Sequence, residues 1–518
     1  MNVAIEVIGG VGLAGATAAQ FLRWLRVLQR EHYVPSSLRH FVARWASPPV
    51  APARRPASRR RPVTGTHIAM LFLVLAALVR SPELAVADAI VYGVFLPEGL
   101  SLRGRTGALR WTRRLATTAG VAVVLALLVE ALGLAARQPW IAGVAIVWAV
   151  PLILEVAARA VQPYQDREAG RFVARARERL TRVAPTVVGV TGSYGKTSTK
   201  NHLVQLIGPG AVGSPRSFNN RAGLSRAINE NLTDGTRVFV AEMGTFGPGE
   251  IRALCEWCPP SIAVVTAIGP VHLERMGSLE VIESAKFEIT ERASTIVLNA
   301  DDPRLAGWVE RLRARGARVV TAGSSRDDLD VRVVVEPSRW RVIVDGVEWA
   351  GMEPVPGVQP TNLACALAAA REVGAEREEL VSRLRGITPV ANRSQVGRAP
   401  SGVTVIDDTF NANPASARAA LDLLCTLPVT GRRVLVTPGM VELGGEQYHE
   451  NLRLAQAAHA RDVELVVVGR TNAVPLTRGY GDGARRVDRR DEAVAWVRQS
   501  LGEDDAVLYL NDLPDHYP

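Results

Sequence analysis

The sequence predicts a helical transmembrane region followed by two α/β domains, a central P-loop domain and a C-terminal Rossmann-like domain. Three observations carry that expectation. Apolar stretches and arginines alternate through the first third of the 518 residues. A glycine loop ending in Gly-Lys-Thr stands between a β-branched run and a helical pattern. Beyond it, short apolar runs of strand length alternate with helical patterns, as mostly parallel sheets require.

The charge distribution separates the first third from the rest. Residues 1–160 hold 18 Arg, no Lys and 7 acidic residues, whereas the remaining 358 residues are nearly balanced at a net −1. A nucleic-acid groove on the later domains is therefore not expected, and the lipid bilayer is the expected partner of the basic third. With 47% apolar and 22% charged residues, wholesale disorder and a collagen-like repeat are excluded. Cys255, Cys258, Cys365 and Cys425 form no disulfide framework, which fits a reducing compartment. Cys255 and Cys258 make one Cys-x-x-Cys with no second pair at zinc spacing, so they read as ordinary thiols at a helix end.

Five stretches read as membrane spans: Val7 to Leu22, Pro62 to Val79, Leu84 to Pro97, Leu115 to Val129 and Gln138 to Leu154. The third carries Asp88 near one end and is the weakest. Ten arginines from Arg23 to Arg61 separate the first two stretches, and five from Arg103 to Arg114 separate the third and fourth. The other two loops offer only Arg80 and Arg137. By the positive-inside rule the basic loops are cytoplasmic, the N-terminus is outside, and the large C-terminal part is inside. The expected location is a multi-pass inner-membrane protein with cytoplasmic catalytic domains. Residues 48–62 read as a polybasic loop. Domain bounds follow as 1–160 for the membrane region, 161–182 for a linker helix, 183–392 for the central domain and 393–518 for the C-terminal one.

The central domain opens on Thr186 to Val190, a strand, then Thr191-Gly-Ser-Tyr-Gly-Lys-Thr-Ser198, then a helix from about Lys196 to Ile207. Strand, glycine loop and helix cradle a triphosphate, because successive N–H groups and the helix N-terminus face the anion. Gly192, Ser193, Tyr194, Gly195, Lys196, Thr197 and Ser198 are the expected nucleotide-binding residues. Lys196 reaches the β/γ phosphates and the Thr197 hydroxyl meets Mg²⁺. ATP and Mg²⁺ are thus the expected cofactors of an ATPase domain.

The string VTGSYGKTSTK resembles the ATP loop of the Mur ligase family, which joins amino acids or peptides to peptidoglycan precursors. FNNRAGLS (218–225), AEMG (241–244), HLERMGS (272–278), AKFEI (285–289), LNADDP (298–303) and IDDTFNANP (406–414) follow in the family's order. The last is most similar to the branch that adds D-alanyl-D-alanine to a UDP-N-acetylmuramoyl-tripeptide. The resemblance covers about residues 183–470. It implies an ATP-dependent amide ligase working through an acyl phosphate. It further implies a cell-wall precursor acceptor and an amino acid or dipeptide as partners. Residue by residue, it nominates Glu242 and His272 as metal ligands and Lys286 as a carbamylated lysine that helps hold a second metal. Asn362 is placed near the adenine, Arg393 near the phosphates and Asp408 on the ribose.

Lysine usage sharpens this reading. The chain has 58 Arg and only three Lys, at positions 196, 200 and 286. Wherever a generic positive charge suffices the chain uses Arg, so the remaining lysines are candidates for chemistry a guanidinium does not perform. Lys196 is explained by the loop and Lys286 by the resemblance, whereas Lys200 reads as chance survival. Asn219 and Asn220 read either as substrate-orienting or as an ordinary turn pair.

Two departures bear on the substrate. The family's uridine-binding N-terminal domain has no counterpart, the membrane region standing in its place. Where the branch carries a Lys-Gly-Ser-type motif this chain reads LYLNDLPDHYP, and VTPGMVELG (436–444) differs from the usual Gly-Asp-Met. The leading expectation is a ligase of peptidoglycan precursor synthesis, with Lys196, Glu242, His272 and Lys286 as its catalytic set. Alternatives are a ligase with a different, lipid-linked acceptor, a membrane transport ATPase, and a degenerate scaffold.

Overall fold

The computed structural model describes residues 3–31, 33, 38–39, 41–42, 65–97, 100, 109–390, 395–409 and 412–513. The chain divides into two compact units, Met1–Glu168 with Leu513–Pro518, and Ala169–Asp512.

Among the described residues each of the five apolar stretches lies mostly in a helix: Val3–Arg30, Gly65–Leu78, Pro82–Phe95, Arg113–Ala135 and Pro139–Val183. By length and apolar character two of them, Arg113–Ala135 and Pro139–Val183, can cross a bilayer. Gly65–Leu78 and Pro82–Phe95 have 14 residues each, about 21 Å at ~1.5 Å per residue against a hydrocarbon core of ~30 Å. Two of the five expected spans thus meet both criteria among the described residues, while Val3–Arg30, at 28 residues, meets the length alone. Asp88 sits in the middle of Pro82–Phe95, not at its end. Residues 161–182, read as a linker helix, are helical and continuous with the rest of Pro139–Val183, which carries Pro151 and Pro163.

Small residues set the packing of the first unit. A Cβ on Gly93 would lie 2.4 Å from the Ala16 methyl, so the helices Val3–Arg30 and Pro82–Phe95 touch nearly backbone to backbone. Arg23 and Arg26, read from sequence as loop charges, lie inside the helix Val3–Arg30 and are only 4% exposed. Arg23 donates to the carbonyls of Gly93, Val94, Leu96 and Leu100. Gln20 adds a bond to Leu96 O at 2.7 Å. The two side chains satisfy carbonyls left over at a helix C-terminus, where cations are also favoured by the dipole. Tyr92 stacks on Trp148 with centroids 3.8 Å apart.

The second unit holds two sheets, and the residues that build them are β-branched runs buried on both faces. The first has nine strands: β1 (Thr186–Thr191), β2 (Ala211–Gly213), β3 (Val238–Glu242), β4 (Ile262–Val265), β5 (Thr295–Asn299), β6 (Arg318–Gly323), β7 (Val331–Val335), β8 (Trp340–Val344) and β9 (Val347–Met352). Their spatial order is β2-β3-β1-β4-β5-β6-β7-β8-β9. Pairing is parallel as far as β7, after which β7, β8 and β9 run antiparallel. Alternate residues feed two cores. Val188, Val190, Val238 and Val240 face one, and Val187, Phe239 and Ala241 face the other. The helix Pro360–Glu372 lies within the first core, where Leu363 to Ala370 are all fully buried.

The second sheet has six strands: β10 (Gln395–Arg398), β11 (Thr404–Asp408), β12 (Arg433–Thr437), β13 (Glu464–Val468), β14 (Arg485–Val487) and β15 (Ala506–Leu510). The order is β10-β11-β15-β12-β13-β14, parallel apart from β10. In such open sheets ligands generally bind beyond the carboxyl ends of the strands, where the order reverses. In the first sheet that point is β1, which leads into the glycine loop.

Candidate active site

The loop after β1 takes a path that only glycine follows easily. Gly192 and Gly195 have φ of 144° and 78°, and both are packed against other groups. A Cβ on Gly192 would lie 2.1 Å from Thr266 Oγ1, and one on Gly195 would lie 2.3 Å from Asn362 Oδ1. Asn362 is thereby placed directly against the loop. Gly195 caps the helix Lys196–Ile207, so Thr197 and Ser198 occupy its first turn. The Lys196 ammonium donates to Gly192 O at 2.6 Å. Ser193 Oγ donates to Gly269 O at 3.0 Å, and the Gly269 N–H returns a bond to it at 2.9 Å. The Tyr194 ring lies over Gly269, where a Cβ would be 2.4 Å away. Burial, reinforced by the Glu450 carboxylate, pushes its phenol above the ordinary value.

Glu242 ends β3 beside this loop and is only 1% exposed. A buried carboxylate is tolerated when its oxygens are fully hydrogen-bonded. Oε2 accepts from Thr197 Oγ1 at 2.9 Å and from Lys200 Nζ at 3.3 Å, while Oε1 accepts from Asn219 Nδ2 at 3.1 Å. Asn219 therefore holds Glu242, whereas Asn220 is an ordinary helix cap that accepts from Gly223 N at 2.9 Å. Lys200 is not a chance survivor. It is 1% exposed and also donates to Ser214 O at 2.7 Å and to Arg216 O. Burial lowers its pKa, and Glu242 opposes the shift.

Lys286 lies in the helix Leu279–Phe287 and is 2% exposed. Among the described residues it has neither a hydrogen bond nor an ion pair to a carboxylate, unlike Lys200. Burial, with the charge of Lys196 nearby, holds its ammonium well below the ordinary value. A neutral amine there is the chemical prerequisite for a carbamate.

His272 is brought to the C-terminal sheet's side of the site. Its Nδ1 meets the Glu442 carboxylate, and Leu273 N donates to Glu442 O at 3.0 Å. Both residues take the left-handed conformation, with φ of 53° and 64°. The Phe246 ring packs edge-on to His272 at 4.8 Å. Glu442 was not anticipated, although it falls in the segment 436–444 that departs from the usual motif. Asp408, 3% exposed, ends β11, where Asn511 N donates to its carbonyl at 3.0 Å. Arg393 lies outside the described residues.

The oxygen donors suit a hard cation. Mg²⁺ takes carboxylate, hydroxyl and water oxygens, and Thr197 Oγ1 and Glu242 Oε2 already lie together at the loop. Among the described residues no three His, Cys, Asp or Glu side chains converge as a metal cluster. The nominated set needs no such cluster, since Thr197 and Lys286 are of other types. Cys255 and Cys258 are buried free thiols, as read from the sequence.

Family models match both domains of the second unit. The Mur ligase middle domain matches residues 190–370, and the Mur ligase glutamate ligase domain matches residues 392–510. A UDP-N-acetylmuramoyl-tripeptide–D-alanyl-D-alanine ligase of Mycobacterium tuberculosis is 36% identical over 361 residues, 62% of this chain and 69% of the relative. The ligase of that name from Bacillus subtilis is 30% identical over 281 residues, 52% of this chain and 60% of the relative. Among solved structures, a MurF ligase from Thermotoga maritima in complex with ADP superposes with a TM-score of 0.58 at 25% identity. It covers 66% of this chain and 80% of its own.

Proposed function

Because the chain belongs to the Mur ligase family, we propose that it joins the amine of D-alanyl-D-alanine to the terminal carboxylate of a UDP-N-acetylmuramoyl-tripeptide. The protein is an ATP-dependent ligase; the acceptor and donor are the part proposed. The observation that carries the reading is the contact of Thr197 with Glu242 at 2.9 Å beside Lys196. That contact supports phosphate and cation binding at one point of the loop.

The reaction balances in two steps. The acceptor carboxylate oxygen attacks the γ-phosphorus and ADP leaves, giving an acyl phosphate. The amine nitrogen then attacks the acyl carbon, loses a proton, and expels phosphate as the amide forms. Negative groups must converge in both steps, and fixed cations and donors stabilise that arrangement. Lys196 and the loop N–H groups bind the phosphates. Thr197, Glu242 and His272 would hold Mg²⁺, together with Lys286 once its amine has taken up CO₂ as a carbamate. When bound, Mg²⁺ supplies positive charge against the γ-phosphate and the acceptor carboxylate. Asn362 and Asp408 are the proposed contacts for the nucleoside, and Arg393 for the phosphates.

The helical unit is proposed to anchor the enzyme in the inner membrane with the ligase unit in the cytoplasm. Two helices of spanning length and the arginine excess of residues 1–160 support this. A reporter active only in the cytoplasm, fused after the last residue, should be active; an inactive fusion would refute the topology.

The activity test uses the full chain in nanodiscs with ATP, Mg²⁺ and D-alanyl-D-alanine. One arm carries a UDP-linked muramoyl-tripeptide and the other a polyisoprenoid-linked one. The expected product is the UDP-linked acceptor heavier by one dipeptide less water, with one ADP released per amide. Turnover in the lipid arm alone would move the acceptor to the membrane. ADP release with no amide in either arm would sink the proposed substrates.

A further inference from the structure

Lys200 has no part in the chemistry assigned above, yet it is among the most thoroughly bonded side chains of the site. A lysine that is 1% exposed must have its charge met and all three N–H groups satisfied. Here the acceptors are Ser214 O at 2.7 Å, Arg216 O, and Glu242 Oε2 at 3.3 Å. If Lys200 served only as a counter-charge, the carboxylate would be its shortest partner. It is the longest. The two tighter bonds go to the turn after β2, which leads to Asn219, and Asn219 grips the other oxygen of Glu242 at 3.1 Å. Ser214 Oγ closes the ring by accepting from Glu242 N at 3.2 Å.

We propose that Lys200 is a positioning residue that fastens the Ser214–Arg216 turn and the Glu242 carboxylate to the helix of the phosphate loop. Phosphates held by that helix and the loop approaching Asn219 and Asn220 then share one rigid frame. The inference rests on the same site as the ligase reading. Arginine does not replace the residue. Its donors spread over a planar fork, whereas these acceptors surround a single nitrogen. The stem also runs past Gly213, where a Cβ would sit 3.7 Å from Lys200 Cγ.

The test compares wild type, Lys200→Met and Lys200→Arg as full chains in detergent. Two readouts need no ligation: amide exchange, and the Mg²⁺ concentration that half-saturates binding of a fluorescent ATP analogue. Both variants should exchange faster across residues 214–220 while β1 and the helix Lys196–Ile207 stay protected. Both should need at least fivefold more Mg²⁺, because Glu242 no longer holds its orientation. A lower Mg²⁺ requirement in Lys200→Met would show that the lysine merely offsets charge, and would overturn the proposal. So would normal exchange and Mg²⁺ response in Lys200→Arg. Lys200→Gln, which keeps two donors, supplies the same readings if the methionine variant loses its fold. If these shifts occur in an enzyme that ligates none of the proposed substrates, the substrate assignment fails and the positioning role stands.

Discussion

Arg23 of the helical unit and Lys200 of the ligase unit are both buried cations that donate to backbone carbonyls, and the chain has chosen differently for each. The acceptors of Arg23 belong to Gly93, Val94, Leu96 and Leu100, strung along a helix end and its exit. A planar guanidinium reaches such a row because its donors point in several fixed directions. The acceptors of Lys200 crowd one point and suit one nitrogen. The difference teaches that residue type follows the layout of acceptors, not the charge required. Lys286 extends the comparison, being as buried as Lys200 but with no carboxylate on its ammonium among the described residues. Its environment favours a neutral amine, which is a nucleophile, over a cation.

The largest expected effect breaks the comparison at Lys286. Arginine keeps its charge and offers no neutral amine, so Lys286→Arg should lower ligation about a thousandfold, as loss of several kcal/mol of charge stabilisation implies. Binding of a fluorescent ATP analogue should stay within about threefold, since Lys196 is untouched. Rigorous removal of CO₂ and bicarbonate should lower wild-type turnover in the same sense. Near-normal turnover in Lys286→Arg would reduce Lys286 to a buried charge. The burial also has a pH signature in CO₂-free buffer. The unfolded chain binds this proton up to its ordinary value near ~10.4, whereas the folded chain releases it at a lower pH. The folded state is therefore penalised in full at low pH, and the penalty fades as pH rises through that window.

Some of this contrast was legible in the sequence and some was not. Three lysines among 58 arginines marked residues 196, 200 and 286 before any geometry was known. The glycine loop, the strand ending in Glu242 and the buried helix at Asn362 were legible because local periodicity specifies them. Arg23 was hidden by the same abundance, since one buried arginine looks like any loop arginine. Nothing in the local sequence announces that carbonyls from residues 93–100 will need a donor. Glu442 was hidden because its partner lies 170 positions away, a pairing set by tertiary packing. The five apolar stretches were found as helices, but their periodicity does not measure whether 14 residues reach across a bilayer.

An intermediate effect is expected at Glu442, the carboxylate that meets His272. A carboxylate on Nδ1 fixes the ring's orientation and keeps the proton there, leaving Nε2 with its lone pair. Glu442→Gln keeps the size, but its amide can also donate, which permits the opposite tautomer. Divalent-ion affinity should fall by roughly 10–100-fold, the range seen when such outer partners are removed. Titration calorimetry with Mn²⁺ in the presence of a non-hydrolysable ATP analogue reads this directly. Unchanged affinity would mean that the contact links the two sheets' domains without tuning the ring.

The smallest effect sharpens the comparison from the other side, by putting lysine where the chain uses arginine. Lys at position 23 would keep the charge but gather its donors at one nitrogen, leaving carbonyls of the row from Gly93 to Leu100 unmet. Gln20 continues to serve Leu96 O, so the loss is partial. An unsatisfied buried carbonyl costs about 1–3 kcal/mol. Part of that is recovered where the ammonium still bonds, so Arg23→Lys should destabilise the helical unit by about 1–2 kcal/mol. Denaturation of the full chain in lipid, followed by loss of amide-exchange protection in Val3–Arg30 and Pro82–Phe95, reports that unit. Nucleotide binding by the ligase unit should not change. If Arg23→Lys is as stable as wild type, the guanidinium fork is dispensable there. Arginine at position 23 would then reflect only the general preference of this chain, and the acceptor-layout rule would survive at Lys200 alone.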